Sequence, residues 1–177
     1  GIARITIPRE DVSLGAMSLV LYSNRDIGGG ISSYEVVHQI AKQRSSADGR
    51  DRRFDVTLLI NGLPIAQIEL KQVTTKDGIY QAFNQVKKYA EEGVFRNNIF
   101  STLQLFVVSN EQTTRYFANA LPKNMHRKLL FSWRTKNNQK VENLYEFCKQ
   151  VLNIPDAHRL IADYTIVSED QDNKILM

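Results

Sequence analysis

Two carboxylates and a lysine stand inside segments that read as β-strands. Asp55 lies in the run Arg53 to Ile60, and Glu69 and Lys71 lie in the run Ile65 to Lys71. Asp, Glu and Lys are depleted from strand interiors, so their presence there asks for a reason. A pair of carboxylates suits a hard divalent cation, because magnesium usually takes one or two of them and keeps several waters. Such a cation neutralises phosphate charge and lowers the pKa of its bound water. A lysine beside it adds a compact point charge with a tunable pKa. This is the equipment of phosphodiester hydrolysis. The hairpin pattern by itself leans to a plainer reading, a surface ion pair between Glu69 and Lys71.

The two strands must be placed so that these groups converge. Successive strand side chains point to opposite faces. Phe54, Val56, Leu58 and Ile60 are apolar on one face of the first strand, and Ala66, Ile68 and Leu70 on one face of the second. If these even-numbered residues share one core face, Asp55, Gln67, Glu69 and Lys71 share the other, largely polar face. A two-residue turn at Asn61-Gly62 pairs Ile60 with Leu63. Continued, that register sets Asp55 against Ile68 and splits the ligands between the faces. A one-residue offset is therefore expected between Asp55 and Glu69. Its simplest form is a three-residue loop, Ile60-Asn61-Gly62, with a bulge at Gly62. That form pairs Leu59 with Leu63 and Asp55 with Gln67.

The remaining pattern predicts a strand near Met17 to Tyr22, a turn at Gly28-Gly29-Gly30, and a segment of helix or strand from Ser33 to Ala41 that holds Glu35 and His38. An amphipathic helix runs from Asp77 or Gly78 to about Glu92, with Ile79, Phe83, Val86 and Ala90 on one stripe and Gly93 as its stop. Leu103 to Ser109 reads as a buried strand, Arg115 to Ala118, Leu129 to Arg134 and Ile161 to Val167 as further strands, and Val141 to Leu152 as a second helix. The sum is an α/β or α+β fold, a mixed sheet flanked by helices. Residues 1–38 read as an N-terminal extension packing on the core, and residues 39–177 as one domain.

The chain has 177 residues, 42% hydrophobic and 24% charged, with a net charge of +4. These values suit one globular domain and permit an anionic partner. Lys42, Arg44, Arg50, Arg52 and Arg53 cluster before the first confident strand and read equally as a solvated loop or a DNA contact. No apolar run approaches the roughly 20 residues that span a bilayer, and no signal peptide is visible, so a cytoplasmic protein with no membrane partner is expected. The single cysteine, Cys148, falls on an apolar helix face with Leu144, Phe147 and Val151, so it reads as a core residue. His38, His126 and His158 are too scattered for a metal cage. The chain begins with Gly1 and reads as a processed product or a part of something longer.

The stretch from Arg53 to Lys71 resembles the nuclease segment of the R (restriction) subunit of type I restriction–modification enzymes, within the PD-(D/E)xK superfamily. The telling parts are Asn61-Gly62-Leu63-Pro64 and Ile68-Glu69-Leu70-Lys71. Gln85 and Tyr89 are similar to that family's paired Gln and Tyr, and the segments Leu105 to Asn110 and Thr114 to Asn119 also look like it. The position before Asp55, often Pro in the superfamily, is Phe54 here. The resemblance implies a PD-(D/E)xK restriction-endonuclease-like core in which Asp55, Glu69 and Lys71 are catalytic. Asp55, Glu69 and the Leu70 backbone carbonyl would hold Mg2+, with Mn2+ able to substitute. Gln85 and Tyr89 would support the site or contact DNA, and Glu35 is a weaker candidate for an extra acidic residue. The implied substrate is double-stranded DNA, and the implied partners are methyltransferase and specificity subunits. ATP would belong to motor domains of the parent protein, since no Walker A pattern occurs in these residues. The alternatives are a repair exonuclease of the same superfamily and a DNA- or subunit-binding module that does not cut.

Overall fold

The computed structural model describes residues 2–25, 27–28, 30–42, 51–165, 167–170 and 173–176. Strands β1 (Ile2–Pro8) and β2 (Ala16–Ser23) form an antiparallel hairpin separate from the main sheet. The main sheet has five strands in sequence order: β3 (Tyr34–Lys42), β4 (Arg52–Ile60), β5 (Leu63–Leu70), β6 (Leu105–Ser109) and β7 (Thr114–Ala118). Neighbours are antiparallel except β5 and β6, which are parallel. A parallel pair needs a crossover, and helix α1 (Gly78–Glu91) supplies it. A short helix α2 (Leu144–Phe147), a π-helical turn (Cys148–Leu152) and helix α3 (Asp156–Asp163) follow, then a hairpin of β8 (Val167–Asp170) and β9 (Asn173–Leu176). The mixed α/β fold is the one expected. Among the described residues no helix is long and apolar enough to cross a membrane.

Both faces of the sheet are covered. Phe83, Val86 and Ala90 of α1 pack on Phe106, Val108 and Phe117. On the other face Phe147 and Val151 pack on Ala66, Ile68, Leu105 and Val107. This corrects the expectation of one core face and one polar face. Every residue of β6 is buried, so both of its faces need cover, and β5 beside it is covered as well. The polar side chains Thr57, Gln67 and Glu69 are consequently buried, each 0% exposed. The shared parity of β4 also holds only in part. Val56, Leu58 and Ile60 face α2, whereas Phe54 and Ile40 join the core under α1. The alternation breaks beside Gln39, which adopts φ +58°.

Helix α1 ends where Gly93 takes φ +72° and the Val94 N–H reaches back to the Tyr89 carbonyl at 3.0 Å, the left-handed stop that glycine permits. The segment from Ser33 to Ala41 is strand, and β3 runs through residue 38. Three expected elements differ. Leu129 to Arg134 is not a strand: Arg127–Leu129 forms a 3-10 turn, and Phe131 and Arg134 make only isolated bridges. This segment meets the edge of β7 only where Phe131 and Tyr116 exchange backbone bonds. The second helix starts at Leu144, not Val141, because the Asn143 side chain caps it by accepting the Glu146 N–H at 3.2 Å. The Val141 N–H instead bonds the Trp133 carbonyl. The strand expected over Ile161 to Val167 is replaced at its start by α3, whose Leu160 and Ile161 pack on the second core. Gly29, Arg44 and Arg50 lie outside the described residues.

Candidate active site

The geometry begins at the hairpin turn. Ile60 pairs with Leu63 and Leu59 with Pro64, and Asn61 and Gly62 take φ +52° and +75°, as a two-residue type I′ turn requires. The register then shifts: Leu58 pairs with Ala66, Thr57 with Gln67 and Val56 with Ile68. Ile65 is the extra residue, a β-bulge in β5. Pro64 cannot donate to the ladder and is at home beside a bulge, and the Ile65 carbonyl accepts from the Gln104 N–H at 2.9 Å. The one-residue offset expected from the sequence is therefore present, but at Ile65 and not at Gly62. Continued, it sets Asp55 level with Glu69 and not with Gln67.

The β4–β5 ladder stops at Val56 and Ile68. Beyond it the Asp55 carboxylate takes the place of a backbone partner and accepts the Leu70 N–H at 2.7 Å. Glu69 accepts a bond from Gln85 Nε2 on Oε2 at 3.2 Å, while its buried Oε1 has no partner. The same Gln85 nitrogen donates to Tyr89 Oη at 2.7 Å, and Gln85 Oε1 accepts from Lys71 Nζ. An ammonium only donates, so Lys71 fixes which way the Gln85 amide points. The Lys71 backbone N–H bonds the Ser109 carbonyl at 2.9 Å. A Cβ built on Gly78, at the start of α1, would lie 3.2 Å from Lys71 Cβ. Glycine there lets the helix approach the lysine.

The structure thus brings together Asp55, Glu69, Leu70, Lys71, Gln85 and Tyr89. It does not bring Glu35, which pairs with Leu59, four residues and so about 13 Å along β4 from Asp55. The surface ion pair between Glu69 and Lys71 is absent: Glu69 is buried, and Gln85 stands between the two. Of the basic cluster, Arg52 stacks on the Tyr89 ring at 5.1 Å and pairs with Glu92. Lys42 donates to the Val94 carbonyl at 2.8 Å.

Burial pushes the Glu69 carboxyl up to about 8, with the Asp55 charge adding to the rise and Lys71 opposing it. Burial and the charge of Glu69 also raise the Tyr89 hydroxyl. A buried carboxyl whose charged form is disfavoured by burial and by the Asp55 charge, with one oxygen unpartnered, gains from a cation. Among the described residues no group of three or more His, Cys, Asp and Glu gathers as a cage. An open, oxygen-rich donor pair is what magnesium accepts, since it retains waters. Burial raises the Cys148 thiol, in keeping with a core residue and not an activated nucleophile.

The sequence reading did not single out Gly78 as a contact of Lys71, nor the burial of Thr57 and Gln67. The signal for the second was a Gln at the centre of a strand flanked by apolar segments.

The chain matches the family model described as type I restriction enzyme R protein N terminus over residues 23–125. It is 35% identical over 139 residues to the type I restriction enzyme SauCOLORF180P endonuclease subunit of Staphylococcus aureus (strain COL), covering 78% of this chain and 14% of that protein. It is 37% identical over 131 residues to the SsaAORF53P endonuclease subunit of Staphylococcus saprophyticus, covering 74% and 14%. It is 34% identical over 135 residues to the EcoprrI endonuclease subunit of Escherichia coli, covering 75% and 42%. The chain therefore spans a minor part of the length of these relatives. It belongs to the family of type I restriction enzyme R protein N-terminal domains.

Proposed function

We propose that this chain is the metal-dependent nuclease domain of a type I restriction enzyme, hydrolysing phosphodiester bonds of double-stranded DNA. The observation that carries the reading is the bulge at Ile65, which sets Asp55 level with Glu69 and leaves a buried Glu69 oxygen unpartnered. Asp55 and Glu69 would hold the cation, Mg2+ with Mn2+ able to substitute, and the Leu70 carbonyl offers a further oxygen. When bound, such a cation supplies charge neutralisation at a phosphate and a water of lowered pKa. Lys71 holds its ammonium against the site through Gln85, where it would offset phosphate charge and orient the attacking water by a hydrogen bond. Gln85 and Tyr89 act from α1 as positioning residues for Glu69 and Lys71. Methyltransferase and specificity subunits would choose the DNA, and ATP would be consumed by other parts of the much longer parent protein.

The test is substitution in the full restriction complex. Asp55→Ala, Glu69→Ala and Lys71→Ala should each abolish DNA cleavage while ATP hydrolysis and DNA translocation continue. Cleavage retained by Lys71→Ala would remove the lysine from the catalytic assignment. Full cleavage by Asp55→Ala would overturn the site.

A further inference from the structure

Thr57 and Gln67 are each 0% exposed and stand opposite one another in the β4–β5 register. Thr57 Oγ1, Gln67 Oε1 and Gln67 Nε2 all lack a hydrogen-bond partner. Two residues further along the same face of β5, Glu69 Oε1 lacks one too. The neighbours on either side offer nothing polar from their side chains, since Thr57 pairs with Val37 and Gln67 with Phe106. Buried polar groups in native proteins are bonded to protein or to ordered water in roughly nine cases of ten or more. An amide left with neither end bonded against an aromatic core is worse than a leucine of similar volume. A partner is therefore required, and the spacing says what kind. Cross-strand Cβ atoms lie about 5 Å apart, and residues two apart on one strand about 7 Å. A single water, with two hydrogen bonds of about 2.8 Å, closes gaps of this size. It needs two to four polar partners, and four unpaired atoms stand here.

We infer that Thr57 and Gln67 hold an ordered water beneath α1 that ties Gln67 to Glu69 Oε1, which makes Gln67 a positioning residue for Glu69. The inference rests on the reading of Glu69 as a metal ligand. A carboxylate oxygen has two lone pairs, so Oε1 can meet a cation with one and the water with the other. Glu69 is then held from both sides, by Gln85 on Oε2 and by the Gln67 water on Oε1, and its carboxylate does not rotate away from Asp55.

The test is calorimetric titration of the chain with Mn2+. Gln67→Leu keeps the volume and removes the amide, and should weaken Mn2+ binding about tenfold, the lower end of what outer-shell partners of metal ligands contribute. The metal-free thermal midpoint should hold or rise. Thr57→Val should act in the same direction, and the double variant should be no weaker than Gln67→Leu, because one water serves both residues. If Gln67→Leu does not fold, Thr57→Val carries the same test with a smaller change. Unaltered Mn2+ affinity in a folded Gln67→Leu overturns the inference while leaving the metal site standing. If the unsubstituted chain binds no Mn2+, the metal reading itself fails. The water is then decided by crystals of the chain: density bridging Gln67 and Glu69 supports it, and a dry site or a direct protein partner for the Gln67 amide refutes it.

Discussion

Replacing Glu69 with Gln should stabilise the metal-free protein, and the gain should grow with pH. Glu69 is wholly buried and its carboxyl is pushed from 4.5 up to about 8. A group whose folded pKa is raised contributes stability that is fully present below its unfolded pKa and lost as pH rises through the folded one. The window is therefore pH 4.5 to about 8. Near pH 7 the folded chain still holds a proton that the unfolded chain has released. At about 1.4 kcal/mol per pH unit, that costs the native state about 3 kcal/mol by order of magnitude. Gln carries no such cost. The oxygen of that amide can still accept from Gln85. For a chain of this size 1 kcal/mol moves Tm by roughly 2–4 °C, so Glu69→Gln should raise the metal-free Tm by roughly 6–12 °C near pH 7 and by only roughly 2–3 °C near pH 5. Differential scanning calorimetry in a chelator, across that range, reads this directly. Saturating Mn2+ should then raise Tm for the parent and little for the variant. A Tm difference that does not change with pH would show that Glu69 does not titrate in the window its burial demands.

Deleting Ile65 removes the bulge but leaves Leu58 against Ala66 and Val56 against Ile68, so Asp55 stays level with Glu69 and Mn2+ binding should survive in a titration. A bulge-free variant that binds no Mn2+ would show that the register alone does not place the two carboxylates. Gln85→Ala should weaken Mn2+ binding about 10–100-fold and lower cleavage by the full complex, because it releases both Glu69 and Lys71. His158 is buried, with Nε2 on the Ser23 carbonyl at 2.7 Å and Nδ1 on Tyr34 Oη at 2.8 Å, and burial lowers its pKa. Its contribution to stability is therefore present above about pH 6.5, the unfolded value, and lost as pH falls below it. Urea midpoints of a Glu69→Gln background, which removes the opposing titration, should fall on acidification unless His158 is also replaced by Gln.

The grouping of the candidate site residues was legible because they lie in short-range pattern. Asp55, Glu69 and Lys71 share parity once an offset is granted, and the need for the offset follows from the turn residues Asn61-Gly62. The place of the offset was not legible. Asn61-Gly62 makes the two-residue turn its residues prefer, and the irregularity moves to Ile65, where Pro64 has already broken the ladder. The α1 stripe and its glycine stop were legible for the same local reason. Burial of the polar face was not, because it depends on α1 returning over β5, a contact between residues some fifteen positions apart. The strand expected at Leu129 to Arg134 failed for want of a partner, and the one from Ile161 because α3 takes its start and packs Leu160 and Ile161 on the second core. An alternating pattern makes a strand only where an edge accepts it, and β7 accepts Phe131 alone of the first segment.

The same long-range contact explains why the lysine is held by an amide and not by an acid. A direct Lys71–Glu69 pair would satisfy both charges and leave neither for a phosphate or a cation. Gln85 interposes a neutral group that accepts from one and donates to the other, so each keeps its charge-seeking capacity. Keeping Glu69 buried beside Asp55, with no ion pair to Lys71, disfavours its charged form and so lowers the stability of the metal-free chain. Residues 82 to 90 of α1 offset that cost by burying Ala82, Phe83, Val86 and Ala90 against the sheet. Helix α1 is therefore at once the crossover the parallel pair needs, the cover of the aromatic core and the arm that separates Glu69 from Lys71. Substitutions that loosen it without touching Gln85, such as Phe83→Ala, should weaken folding and metal binding together, whereas Gln85 substitutions should separate them.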